Sequence, residues 1–178
     1  MNYFKKMSGQ GQSPPKVSKT EVFWSWFGSF LGIASIGLLS SYFLESMDLT
    51  LVIGSFGATA VLVYGAIRSP LAQPRNVFGG HVLSAVTGVF FQQFFAGTPW
   101  FAAAMAVSVS IALMHTTKTL HPPGGATALI AVIGGDSIKN LGYLYAAIPV
   151  GLGAFILLLI GLLVNNIPKT RKYPEFWF

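Results

Sequence analysis

The 178-residue chain contains no cysteine, and only 9% of its residues are charged. The first absence excludes disulfides, thiolate metal sites and a cysteine nucleophile. The second, set against 53% hydrophobic residues and a mean hydropathy of +0.63, excludes an ordinary soluble domain and implies a membrane protein. Acidic residues are scarcest. Glu21, Glu45, Asp48, Asp136 and Glu175 are read as lying in tails or loops. A cation carrier generally places Asp or Glu within the membrane, so a cation substrate is disfavoured.

The apolar runs lie between the charges. Val22 to Leu44 and Leu49 to Ile67 are each long enough to span, since about 20 helical residues cross a hydrocarbon core of about 30 Å. The uncharged stretch from Val82 to Met114 is too long for one span and is broken at "AGTPW", which predicts helices over about Val77–Phe95 and Pro99–Met114. Pro122–Gly135 is short, whereas Leu141–Ile167 is long enough to span, with Pro149 as a predicted kink.

Residues 1–21 read as a polar, basic, mobile tail rather than a cleaved signal peptide, 22–167 as the transmembrane domain, and 168–178 as a C-terminal tail. With six crossings and a cytoplasmic N-terminus, Lys5, Lys6, Lys16, Lys19, Arg68, Arg75, Lys118, Lys169, Arg171 and Lys172 fall inside and only Lys139 outside. Treating the two short segments as re-entrant loops moves Arg68, Arg75, Lys118 and Lys139 outside, so the positive-inside rule favours six crossings. Both termini are then cytoplasmic, and a bacterial inner membrane is expected.

Two strings repeat. "IGSFGATAVLVYG" and "LHPPGGATALIAV" both carry Gly-Ala-Thr-Ala behind helix-breaking residues and ahead of an apolar run. Each occupies the middle of a triplet of membrane segments, over about 22–95 and 99–167. The expected fold is therefore an all-α polytopic membrane protein of six segments, arranged as two inverted three-helix repeats with a short half-helix at the centre of each. Pro122, Pro123, Gly124 and Gly125 predict an extended approach to Ala126 and a helix starting near Gly124; the first half-helix is expected from Phe56.

Two such helices beginning near the midplane from opposite sides would point their N-termini towards one another. Unpaired backbone N–H groups and the helix dipoles then make an anion site without charged side chains. The expected substrate-binding residues are Ser55, Phe56, Gly57, Ala58 and Thr59 in the first copy and Gly124, Gly125, Ala126 and Thr127 in the second. The same small residues also suit close helix packing, and the two roles are compatible. Gly28 and Gly32 form a GxxxG pair read as a packing or dimer contact.

Arg75, Asn76, His81 and His121 are candidates for an entrance or gate. Arg75 serves topology, with a possible second role in drawing anions to a vestibule. His81 either bonds a neighbouring carbonyl or takes part in proton-linked chemistry. His121 is placed to cap or line the cytoplasmic entrance. His115 and His121 lie on different helix faces without further ligands, so no metal site is expected. No cofactor is expected. Tryptophans 24, 26, 100 and 177 read as an interfacial belt. The net charge of +6 serves topology and anionic lipid, with no nucleic-acid partner needed. No Ser-His-Asp or paired-carboxylate spacing suggests an enzyme.

The blocks "SFGATAVLVYG", "SPLAQPRNVFGGHVLSA" and "HPPGGATAL" resemble the HPP family of integral membrane proteins, named for the motif present here as His121-Pro122-Pro123. The resemblance covers about Trp24 to Val164. It implies membrane transport, with chloroplast and cyanobacterial relatives linked to nitrite, in a family usually described with four transmembrane helices. Some relatives look like fusions to regulatory CBS domains, for which this chain has no room. The expected function is transport of a small monovalent inorganic anion, nitrite first and nitrate second. An anion channel and a non-transporting structural subunit are the alternatives, and a homo-oligomer is possible.

Overall fold

The computed structural model describes residues 6–7, 11–44 and 52–178. Lys5, Glu45, Asp48 and the expected start of the second span at Leu49 lie outside the described residues. Among the described residues there are seven α-helices and no strand.

Helix α1 (Lys19–Leu39) opens on Ser18, whose Oγ accepts the backbone N–H of Glu21 at 3.2 Å, an N-cap that fixes its start. It presents Phe23, Trp26 and Phe30 outward and buries only Gly28, Gly32 and Ile36. With its continuation to Tyr42 it is one of three described helices long and apolar enough to cross a membrane, the others being Pro99–Thr116 and Ala146–Val164. Helix α2 (Ser55–Ala60) runs on through a wider turn, Val61–Gly65. Helix α3 spans Pro74–Phe94, α4 Pro99–Thr116, α5 Pro122–Ile133, α6 Asp136–Lys139 and α7 Leu152–Val164.

Helix α3 is long enough to cross yet less apolar, because it is the centre of the bundle. It packs against α4, α5 and α7, and its buried residues include Asn76, His81, Ser84 and Thr87. Close approach to α5 depends on missing side chains. A Cβ on Gly88 would lie 2.6 Å from Ala128 O, and one on Gly80 2.8 Å from Thr119 O. A Cβ on Gly124 would lie 2.9 Å from Gly80 O. Small residues four apart let the two backbones touch, as membrane helices require where lipid supplies no hydrophobic drive.

The start of α5 corrects the expected late beginning. Pro122 and Pro123 lie inside its first turn, and the extended residue is the N-cap His121, at φ −143° and ψ 104°. First-turn N–H groups have no intrahelical acceptor, so prolines there lose no hydrogen bond. Pro149 does interrupt the last apolar run. Ile148 before it is extended, at φ −134° and ψ 120°, so the regular helix begins only at Leu152.

The Gly28 and Gly32 pair receives the ring of Tyr64. Tyr64 then donates its hydroxyl to Leu157 O at 2.9 Å, joining α1, the end of the first half-helix and α7.

The C-terminal segment is not a free tail. Arg171 is buried, donates to Glu21 and Ser25 at the start of α1, and also donates to Tyr64 O at 3.2 Å and Asn165 Oδ1 at 3.0 Å. Its ion pair with Glu21 is 2.7 Å. Asn165 in turn donates to Val63 O at 2.8 Å. The first half-helix ends inside the protein, and these side chains satisfy carbonyls left without an intrahelical partner. The start of α1 and the end of α7 consequently lie at the same end of the bundle.

Candidate functional site

Helices α2 and α5 lie side by side and antiparallel. Along α2, Gly54 approaches Ile130, Ser55 meets Thr127, and Thr59 meets His121. The first turns thus overlap instead of meeting end to end. Helix α3 closes this crossing from the side and inserts His81.

His81 is held by both half-helices. Its Nε2 is 2.7 Å from Thr59 Oγ1 and its Nδ1 is 2.7 Å from Thr127 Oγ1. Thr59 Oγ1 is also 3.1 Å from His121 Nε2, and His121 Nδ1 donates to the Leu71 carbonyl at 2.8 Å. At the other end, Thr127 Oγ1 shares a 2.9 Å hydrogen bond with Ser55 Oγ. The result is one continuous chain, Ser55–Thr127–His81–Thr59–His121–Leu71 O. All five side chains are buried.

The surroundings fix the rings. The Phe56 ring meets His81 edge-on at 5.4 Å between centroids, and the two imidazoles are 4.9 Å apart. Tyr145 donates its hydroxyl to Thr127 O at 3.1 Å. The two threonines also show matching local geometry: Thr59 is 3.2 Å from Ser55 O and Thr127 is 3.2 Å from Pro123 O, each one turn back. No carboxylate, lysine or guanidinium bonds to either imidazole among the described residues.

Of the residues singled out in the sequence, Ser55, Phe56, Thr59, Thr127, His81 and His121 are brought together. Gly124 lies under them, against Ser84, Gly80 and Met114, as a packing residue. Gly57 and Ala58 are exposed on the far side of α2, and Gly125 and Ala126 line an apolar recess with Val107, Ile111, Met114, Leu120, Pro122 and Leu129. A helix turns about 100° per residue, so a four-residue string cannot present all its members to one centre.

Arg75 donates to Thr117 O at 2.8 Å, where α4 ends, a favourable place for a cation. Asn76 donates to Leu120 O at 2.9 Å, tethering α3 to the segment before His121, while its Oδ1 has no partner among the described residues. Tyr145 belongs to the centre without any motif in the sequence to mark it, and Leu71, within the block "SPLAQPRNVFGGHVLSA", contributes a backbone carbonyl that no side chain announces. Arg171 likewise read as one more tail cation.

A family model described as the HPP transmembrane region matches residues 14–174. Two curated proteins of Dictyostelium discoideum, both described as transmembrane proteins, are each 43% identical to the chain over its full length. The chain spans 58% of one and 64% of the other, less than two thirds of either. No solved structure matches the chain.

Proposed function

Because the chain belongs to the HPP transmembrane family, we infer that it transports a small monovalent inorganic anion, nitrite before nitrate, through the crossing of its two half-helices. The observation that carries this reading is the binding of His81 by Thr59 and Thr127, the equivalent residues of the two repeated strings. Equivalent groups converging on one point from antiparallel helices are what two inverted three-helix repeats generate, and such proteins carry their substrate site at the repeat interface.

The chemistry suits an anion. Ser55, Thr59 and Thr127 supply hydroxyl donors, the first turns of two helices supply backbone N–H groups, and among the described residues no carboxylate bonds into the centre. In the closed arrangement these donors satisfy one another. Parting of the overlapping first turns turns the hydroxyls towards the ion, and rocking of one repeat against the other exposes it to alternate sides.

The topology is six crossings with both termini cytoplasmic. The joining of the start of α1 to the segment after α7 through Glu21 and Arg171 supports an even number of crossings, and the lysine and arginine distribution supports the sidedness. The relatives come from an amoeba and lend no support to the expected bacterial inner membrane.

Purified protein in proteoliposomes is the test. Saturable nitrite uptake, reduced by nitrate and less by formate and chloride, is the expected result. Folded protein that moves none of these anions would remove the reading.

A further inference from the structure

We propose that His121 is a proton-loading site, filled through the hydroxyl and imidazole chain from Ser55 to His121, and that it couples anion movement to one proton. This rests on the transport reading for the identity of the cargo, but the proton site itself stands on hydrogen-bond geometry.

Proton inventory sets the direction of the chain. His121 Nδ1 faces the Leu71 carbonyl at 2.8 Å, and a carbonyl oxygen only accepts, so this nitrogen carries a proton. The neutral ring then has a bare Nε2, 3.1 Å from Thr59, whose single proton it shares with the Ser55 carbonyl at 3.2 Å. The Thr59 oxygen must in turn accept, so His81 carries its proton on Nε2, 2.7 Å away. His81 Nδ1 is then bare and accepts the single proton of Thr127 at 2.7 Å; the 2.9 Å bond that Thr127 donates to Ser55 Oγ belongs to the second arrangement, in which His81 Nδ1 carries a proton. The two histidines are thereby opposite tautomers, each chosen by its neighbours.

A second arrangement satisfies the same contacts with one proton more. A proton arriving at Ser55 displaces the Ser55 proton to Thr127, that of Thr127 to His81 Nδ1, that of His81 Nε2 to Thr59, and that of Thr59 to His121 Nε2. Each O–H or N–H bond that breaks is matched by one that forms. Ser55, Thr127, His81 and Thr59 finish with the proton count they began with. The added proton and its positive charge rest on His121, whose two nitrogens now donate to Thr59 and Leu71 O.

The Leu71 carbonyl closes the far end, so the stored proton leaves only when that contact opens. Leu71 adjoins Ala72, whose carbonyl accepts the Tyr173 hydroxyl at 2.6 Å, so this exit lies at the end of the bundle that holds the start of α1 and the C-terminal segment. The titratable groups facing the chain are His81 and His121 themselves and Tyr145, which bonds Thr127 O. Among the described residues the surroundings supply no counter-charge for a loaded His121. A monovalent anion at the neighbouring hydroxyls supplies it, and each buried charge offsets the other's desolvation. Binding of either therefore strengthens binding of the other by the same factor.

Two measurements test this. Nitrogen NMR of ring-labelled protein should give the Nε2–H tautomer at His81 and the Nδ1–H tautomer at His121, and the same tautomer at both would overturn the chain. In proteoliposomes carrying a lumenal pH dye, an inward nitrite gradient should acidify the lumen by one proton per anion above a protein-free blank. His121→Gln should bring that ratio to zero whatever the residual uptake rate. Wild-type uptake without acidification would overturn the coupling and leave the transport reading in place. Absence of all uptake would instead remove the transport reading, with the tautomers then deciding the proton site alone.

Discussion

Thr59 and Thr127 occupy the same place in two repeated strings 68 residues apart, and they hydrogen-bond opposite nitrogens of the one His81 ring, each at 2.7 Å. A single imidazole thereby fixes the relative position of the two half-helices. Disturbing either hydroxyl should be felt in both.

Thr59→Val and Thr127→Val keep the side-chain shape and remove the hydroxyl. Thr127→Val leaves one buried ring nitrogen without its partner and Thr59→Val leaves two, at a cost of about 1–3 kcal/mol for each nitrogen. Thermal unfolding in detergent should show each variant destabilised. Because both act on one ring, the double variant should lose less than the sum of the singles. Additive losses would show that the ring does not join them.

The approach of α3 to α5 should tolerate no side chain at Gly88, where a Cβ would sit 2.6 Å from the Ala128 carbonyl. Gly88→Val should destabilise by about 1–3 kcal/mol or prevent folding. Gly57→Ala is the contrast: a Cβ there meets nothing within 4 Å, and replacing glycine by alanine in a helix gains up to about 1 kcal/mol. Melting temperatures of the pair check both directions.

Arg171→Ala should lower stability by about 3 kcal/mol, the lower end for breaking a buried pair, because the Glu21 side chain is 26% exposed and regains some water. Arg171→Lys should recover only part of this. The arginine donates through all three of its nitrogens to Glu21, Ser25, Tyr64 O and Asn165, and one ammonium group cannot reach as many partners. Melting temperatures of the two variants measure the difference.

Burial raises the Tyr173 hydroxyl well above its usual range, where it donates to Ala72 O. The unfolded chain therefore loses this proton first. The stabilising contribution is complete below about pH 10 and is lost as pH rises from there towards the folded value. Alkaline unfolding of Tyr173→Phe should show a shallower dependence on pH than wild type. An unchanged slope would mean that the hydroxyl is not buried in solution.

The sequence made the membrane class and the two short apolar helices legible, because apolar runs and a repeated string are local signals. His81 and His121 were picked out as rare polar residues in apolar surroundings. Their joining through Thr59 was not legible, since it depends on α3 crossing two helices from distant parts of the chain. Gly57, Ala58, Gly125 and Ala126 share a string with the threonines but not a face, because a string hides the rotation of a helix. Arg171 looks like a tail charge in the sequence for a similar reason: its acceptors, Glu21 and Tyr64 O, lie 150 and 107 residues away.

The most direct test of the account is nitrite counterflow in proteoliposomes loaded with unlabelled nitrite, comparing wild type with Thr59→Val and Thr127→Val. Both variants must first be shown to be folded by thermal unfolding. The account predicts transient accumulation of labelled nitrite by the wild type and its loss in both variants, because the two threonines act on one centre. Counterflow at the wild-type rate in either folded variant would contradict it.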